Sequence, residues 1–158
     1  MARKQFVSDA ADEAIFTLNE TSVGMNGNNR KRTDVQLIQF YLRQFYKAHP
    51  ELFALLPKTS KGGNMISIDG YYGGQTGKGI WYFQKHIREK GFSIVVDGLV
   101  NVANGGESSI SHTIYTINYL NSWFLKWSDP TGNVERHPDC IAFAPELQAE
   151  LTAQAISF

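Results

Sequence analysis

The feature that most restricts the fold is the run Ile68-Asp-Gly-Tyr-Tyr-Gly-Gly-Gln-Thr-Gly-Lys-Gly-Ile-Trp-Tyr-Phe-Gln-Lys85. It is a tight turn feeding directly into an amphipathic helix. A shorter copy follows at Val96-Asp97-Gly98-Leu99-Val100. Glycine at 70 and 98 permits positive φ, and the aspartate before it can accept backbone N–H groups across the turn. Asp69, Gly70, Asp97 and Gly98 therefore read as structural turns, each setting the angle at which the chain enters its next segment.

Three helices are expected around these turns. In the first, Asp34 is the expected N-cap, Val35, Ile38, Leu42 and Phe45 form an apolar stripe, and His49-Pro50 ends it. Glu51 to Leu56 adds a short turn stopped by Pro57. The second runs from about Gln75 to Lys90 with Thr76, Ile80, Phe83 and Ile87 on one face and Gly91 as C-cap. Gly77 and Gly79 inside it each cost about 1 kcal/mol relative to alanine, which implies another backbone packed very close.

The third helix is expected over Ile110 to Trp127, capped by Ser109. Ile110, Ile114, Ile117, Leu120 and Phe124 form one stripe and Tyr115, Tyr119, Trp123 and Trp127 a second. So wide an arc fits a helix sandwiched between layers, or a candidate partner surface along the aromatic stripe. Further helical segments are expected at the N-terminus, capped by Ser8 with Ile15 and Leu18 apolar, and from Pro145 through Leu147, Leu151 and Ile156. Asn19 to Thr33 reads as an irregular loop containing the solvated run Arg30-Lys31-Arg32. Only brief extended pieces approach the Asp-Gly turns, at 64–68 and 93–96, so the fold class is mainly α.

Composition narrows function by exclusion. Fifteen acidic and fifteen basic residues leave no net field to attract nucleic acid or an anionic membrane. The single cysteine, Cys140, precludes an internal disulfide and a Cys-x-x-Cys metal site. His137 lies near it, but a proline-containing loop is a poor nucleophile platform, and no His-Glu-x-x-His or comparable spacing suggests a metal. No glutamate stands in an apolar, turn-anchored setting suited to glycoside cleavage. The expectation is no catalysis, no cofactor and no metal. The N-terminus lacks the apolar stretch of a secretory signal, so the chain is expected to be made in the cytoplasm, with any action in the periplasm or wall needing non-standard export.

The turn-and-helix residues resemble the small peptidoglycan-binding domain carried by many cell-wall hydrolases and phage lysins. Its first element matches Val35, Ile38, Gln39 and Leu42. Its second matches Asp69, Gly70, Tyr72, Gly73, Thr76, Gly79, Ile80, Phe83 and Gln84. Its third matches only Asp97 and Gly98, since Asn101 to Glu107 stands where Gly-x-x-Thr is expected. Ser22-Val23-Gly24 with Gly27, Asn29 and Asp34-Val35 is similar to the lead-in of relatives associated with phages and contractile injection machines. The resemblance spans about residues 22–127 of a single domain, leaving 128–158 as an extension.

It implies a three-helix bundle that holds wall glycan or stem peptide without cleaving it, with Tyr71, Tyr72, Gly73, Gln75, Thr76, Trp81 and Gln84 as candidate ligand-binding residues. Aromatic faces there can cover sugar C–H surfaces while amides and hydroxyls give orientation. Tyr72 itself reads as core. Two alternatives stay open: an adaptor docking another protein through Tyr115, Tyr119, Trp123 and Trp127, and a small wall hydrolase.

Overall fold

The computed structural model describes residues 2–8, 13–60, 63–103 and 114–154. Its elements, in order, are β1 (Arg3–Ser8), β2 (Glu13–Leu18), β3 (Val23–Gly24), α1 (Arg32–Ala48), α2 (Pro50–Phe53), α3 (Gly74–Glu89), β4 (Leu99–Val100) and α4 (Thr116–Trp127). A 3₁₀ turn (Val134–Arg136), α5 (Pro138–Phe143) and α6 (Pro145–Ala153) complete it. The fold is mainly α, with two antiparallel strand pairs, β1–β2 and β3–β4.

Helix α1 occupies the centre. Val35, Leu37, Ile38, Phe40, Leu42 and Phe45 are fully buried, and Tyr41 and Tyr46 nearly so, because α3, α4 and α6 pack around it. The sandwiched helix is thus α1 and not α4, whose Ile117, Leu120 and Phe124 are buried while Trp127 is 64% exposed. Helix α4 begins at Thr116; the expected start at Ile110 and cap at Ser109 lie outside the described residues.

Asp34 does not cap α1, which starts two residues earlier after Lys31. Its buried carboxylate instead accepts from the Glu20 and Thr21 N–H groups and the Thr21 hydroxyl, pinning the preceding loop to the helix. In that loop Asn26 and Asn29 hold left-handed backbone, and Asn29 bonds Gly24 through both its amide atoms.

The N-terminal segment is a hairpin, not the expected helix: Arg3 pairs with Leu18 and Ser8 with Glu13. The β-favouring Phe6-Val7 and Ile15-Phe16-Thr17 outweigh a helical stripe that rested on Ile15 and Leu18 alone. A tertiary anchor fixes it, for buried Asn121 of α4 accepts the Thr17 N–H (2.8 Å) and donates to the Thr17 carbonyl (2.9 Å). The same Asn121 oxygen accepts the Tyr41 hydroxyl. Lys4 pairs with Glu135, and Gln154 bonds Ala2 and Lys4, joining this hairpin to the C-terminal segments.

The C-terminal part is helical as expected, with Pro145 opening α6 and Leu147 and Leu151 buried; Ile156 lies outside the described residues. Helix α5 is additional. The His137 imidazole caps it by accepting the Asp139 N–H and packs edge-on against Phe40.

Candidate functional site

Each Asp-Gly turn is braced from inside by a buried glutamine on the preceding main helix. At the first, Gln39 Oε1 accepts the N–H groups of Asp69 (3.1 Å) and Gly70 (2.8 Å). Its amide nitrogen donates to Asp69 Oδ1 (3.0 Å), the Tyr71 carbonyl (3.0 Å) and Thr76 Oγ1 (3.1 Å). At the second, Gln84 Oε1 accepts from Asp97 (3.1 Å) and Gly98 (2.8 Å), and its nitrogen donates to Asp97 Oδ1 (3.2 Å), the Leu99 carbonyl (3.0 Å) and Thr116 Oγ1 (3.0 Å). In both, the aspartate also accepts the N–H two residues on, at 3.0 Å. Gly70 and Gly98 sit at φ 78° and 73°, as the turns require.

The two braces tie α1 to the start of α3, and α3 to the start of α4. Thr116, at the start of α4, does for the second turn what Thr76, near the start of α3, does for the first. Gln84 is correspondingly no surface residue: it is fully buried, with both amide atoms engaged. Gln39 and Thr116 escaped notice as bracing residues because the intervals differ, 30 residues from Gln39 to Asp69 but 13 from Gln84 to Asp97. An apolar-Gln pair on each helix ahead of each Asp-Gly was the available signal.

Outwardly the two turns differ. The second is covered: β3 pairs with β4, Val23 opposite Val100 and Gly24 opposite Leu99, and the Met25 N–H donates to the Gly98 carbonyl (2.9 Å). The first has no strand partner among the described residues, and Tyr71 is 66% exposed. Beside it lies a cleft of about 250 Å³ bounded by Tyr71, Tyr72, Gly73, Pro57, Lys58 and Thr59.

Of the candidate binding residues, Tyr71, Tyr72, Gly73, Gln75 and Thr76 meet at this cleft. Gln75 and Thr76 are mostly spent on structure: Gln75 accepts the Ser67 N–H and donates to the Pro57 carbonyl, and Thr76 receives Gln39. Tyr72 is only half-buried, so it is not the core residue its pattern suggested. Its hydroxyl would lie 2.5 Å from a Cβ at Gly77, which is why that helical position is glycine; a side chain, not a backbone, makes the close approach. Gly79 similarly faces Leu42 and Tyr46, whose hydroxyl donates to the Gly79 carbonyl. Trp81 lies away from the cleft, edge-on to Tyr82 and beneath Lys85.

Arg32 leaves the basic run to bond the Tyr71 hydroxyl (3.0 Å), cover its ring and pair with Glu146 (2.8 Å). This arm steadies the exposed aromatic and links it to α6.

A second concavity, about 870 Å³ and largely apolar, opens between the C-terminal ends of α1, α3 and α4, lined in part by His49, His86, Phe92, Tyr119, Trp123 and Trp127. Trp123 packs on Phe45, and the Tyr119 hydroxyl donates to the Ser93 carbonyl, while Trp127 and Phe92 stand exposed. Tyr115 is half-buried and is not among its lining residues. The aromatic stripe is therefore split between packing and surface. Burial, and then neighbouring His49 and Lys90, hold the His86 pKa below its ordinary value.

Acid–base chemistry is poorly served elsewhere. Cys140 is buried, its thiol pushed up to about 12 by desolvation and then by Glu135, and it faces the Ala144 carbonyl rather than a base. Burial lowers the His137 pKa. Burial acts to raise that of Asp139, but Lys47, Gln44 and Arg43 outweigh it and hold the carboxyl below its ordinary range. No cluster of three or more histidine, cysteine or acidic residues able to hold a metal occurs among the described residues, and no helix in them is long and apolar enough to cross a membrane. His112 lies outside them. Compared with protein-family models, with curated proteins and with solved structures, the chain matches none.

Proposed function

We propose that this chain is a non-catalytic module that holds bacterial cell-wall peptidoglycan, in a phage or contractile-injection assembly, through the open first turn. The observation that carries the reading is the asymmetry of two otherwise matching turns: one is closed by the chain's own strand, and the other is left open beside a polar cleft. That the two braces join α1, α3 and α4 supports reading these helices as the three-helix unit that the resemblance implies. Tyr71 offers an aromatic face, with the Tyr72, Thr59 and Ser67 hydroxyls and backbone groups around it. A protonated, buried thiol and helix-capping His137 support holding over cleavage.

The test is co-sedimentation with purified peptidoglycan sacculi. The wild type is retained, and Tyr71→Ala weakens retention by about 1 kcal/mol, roughly fivefold in Kd. Trp81→Ala, away from the cleft, leaves it unchanged. Retention no greater than that of an unrelated neutral protein contradicts the proposal.

The exposed Trp127 and Phe92 favour a second reading, in which the apolar groove docks a protein of the same assembly. Under it, Trp127→Ala abolishes partner association and leaves retention on sacculi intact; association that survives the substitution counts against it.

A further inference from the structure

The two braces make the molecule its own comparison. From the glutamine through the residue after the glycine, each hydrogen bond at one turn has a counterpart at the other within 0.2 Å (3.0 against 3.2 Å for Gln Nε2 to Asp Oδ1). Tyr71 therefore corresponds to Leu99 and Tyr72 to Val100. Both turns also carry a side chain over the glycine: Met25 at Gly98 and Arg32 at Gly70. The difference is the backbone that leads into Met25. At the second turn, Val23 and Gly24 pair with Val100 and Leu99, and the Met25 N–H satisfies the Gly98 carbonyl. At the first turn no backbone N–H among the described residues reaches the Gly70 carbonyl, and no strand lies along Tyr71–Tyr72. The covered turn thus displays the kind of chain that the open turn lacks.

That chain has a stereochemical requirement. Gly24 sits at φ 132°, and a Cβ of L configuration there would fall 2.2 Å from the Gly98 carbonyl oxygen and 2.8 Å from Leu99 Cα. Glycine meets the requirement. A D-residue also does, since its Cβ projects to the other side and φ 132° is the mirror image of ordinary L-residue extended backbone. We infer that the open turn takes a short extended peptide, laid along Tyr71–Tyr72 as β3 lies along β4, with a D-residue or glycine opposite Tyr71. Main-chain hydrogen bonds hold such a strand and the chirality requirement selects it. This rests on the cleft being the holding site, and it narrows the ligand from wall polymer to the stem peptide, whose D-centres satisfy the register.

Calorimetric titration of the full chain with acetyl-L-Lys-D-Ala-D-Ala, its all-L isomer, its Gly-Gly analogue and a form N-methylated at the second D-Ala, whose N–H takes the place of that of Met25, tests this. The D-Ala and glycine peptides bind, and the all-L and N-methylated peptides bind at least about tenfold more weakly. In amide NMR spectra the bound peptides shift Gly70, Tyr71 and Tyr72. Equal affinity for both stereoisomers, binding by none of the peptides, or shifts confined to the apolar groove overturns the inference. Sacculi stripped of stem peptides by an amidase separate it from the parent reading. Equal retention of intact and stripped material refutes peptide selection while leaving wall binding standing. No retention of either removes wall binding, and the peptide titration then decides the inference alone.

Discussion

Gln84→Leu removes the inner brace of the second turn while preserving side-chain size. Five hydrogen bonds go with the amide, of which those to the Gly98 N–H and the Thr116 hydroxyl are fully buried. The other three, to the Asp97 N–H, Asp97 carboxylate and Leu99 carbonyl, are partly buried and can recover some hydration. Each buried group left without a partner costs about 1–3 kcal/mol, so the two buried groups and a fraction of the rest sum to about 3–5 kcal/mol. For a chain of this size that lowers Tm by roughly 6–20 °C. Urea unfolding reads it as a lower midpoint at unchanged slope, and hydrogen exchange as loss of protection at the Gly98 amide. A stability loss below about 1 kcal/mol, or an unchanged Gly98 amide, refutes the claim that glutamine fixes the turn.

Other expectations follow from the same structure. Asn121→Ala loses the bonds to Thr17 and Tyr41 and destabilises by about 2–4 kcal/mol in urea unfolding, with hairpin amides exchanging faster. Cys140, with its pKa pushed up to about 12, resists thiol reagents in the native state and reacts on unfolding; rapid stoichiometric labelling of native protein contradicts the burial. His86 and His137 have folded pKa values below the unfolded one, as does Asp139. Their contribution to stability is therefore full above the unfolded pKa values and is lost as pH falls, through the histidine range and then the carboxylate range, which chemical denaturation across that span measures. Gly77→Ala improves helix propensity by about 1 kcal/mol but displaces the Tyr72 ring, so any gain in Tm comes with weaker peptide binding at the cleft.

Local chemistry made much of this legible. Gly70 and Gly98 adopt the positive φ that an Asp-Gly turn requires, and the Val35–Ile38–Leu42–Phe45 stripe is buried as its period demands. The cleft residues were legible as a group because they follow one turn in sequence. What escaped was set by long-range partners. The hairpin owes its place to Asn121, 104 residues from Thr17, and no local pattern encodes that. Gln84 reads as a ligand-binding candidate through the resemblance, and its bracing role, like that of Gln39, is set by turns that fold back on it. The width of the α4 apolar arc fits either a sandwiched helix or a partner surface; α1 takes the centre because three helices converge on it, leaving Trp127 in solvent.

Amide NMR of the labelled chain during addition of soluble muropeptides, prepared by muramidase digestion of sacculi, addresses the central claim most directly. The account predicts saturable shifts concentrated at Gly70 through Gly73 and in the Lys58–Thr59 wall, with the covered turn at Gly98 and the groove at Trp127 unmoved. No shifts, or shifts centred on Trp123 and Trp127, contradict it.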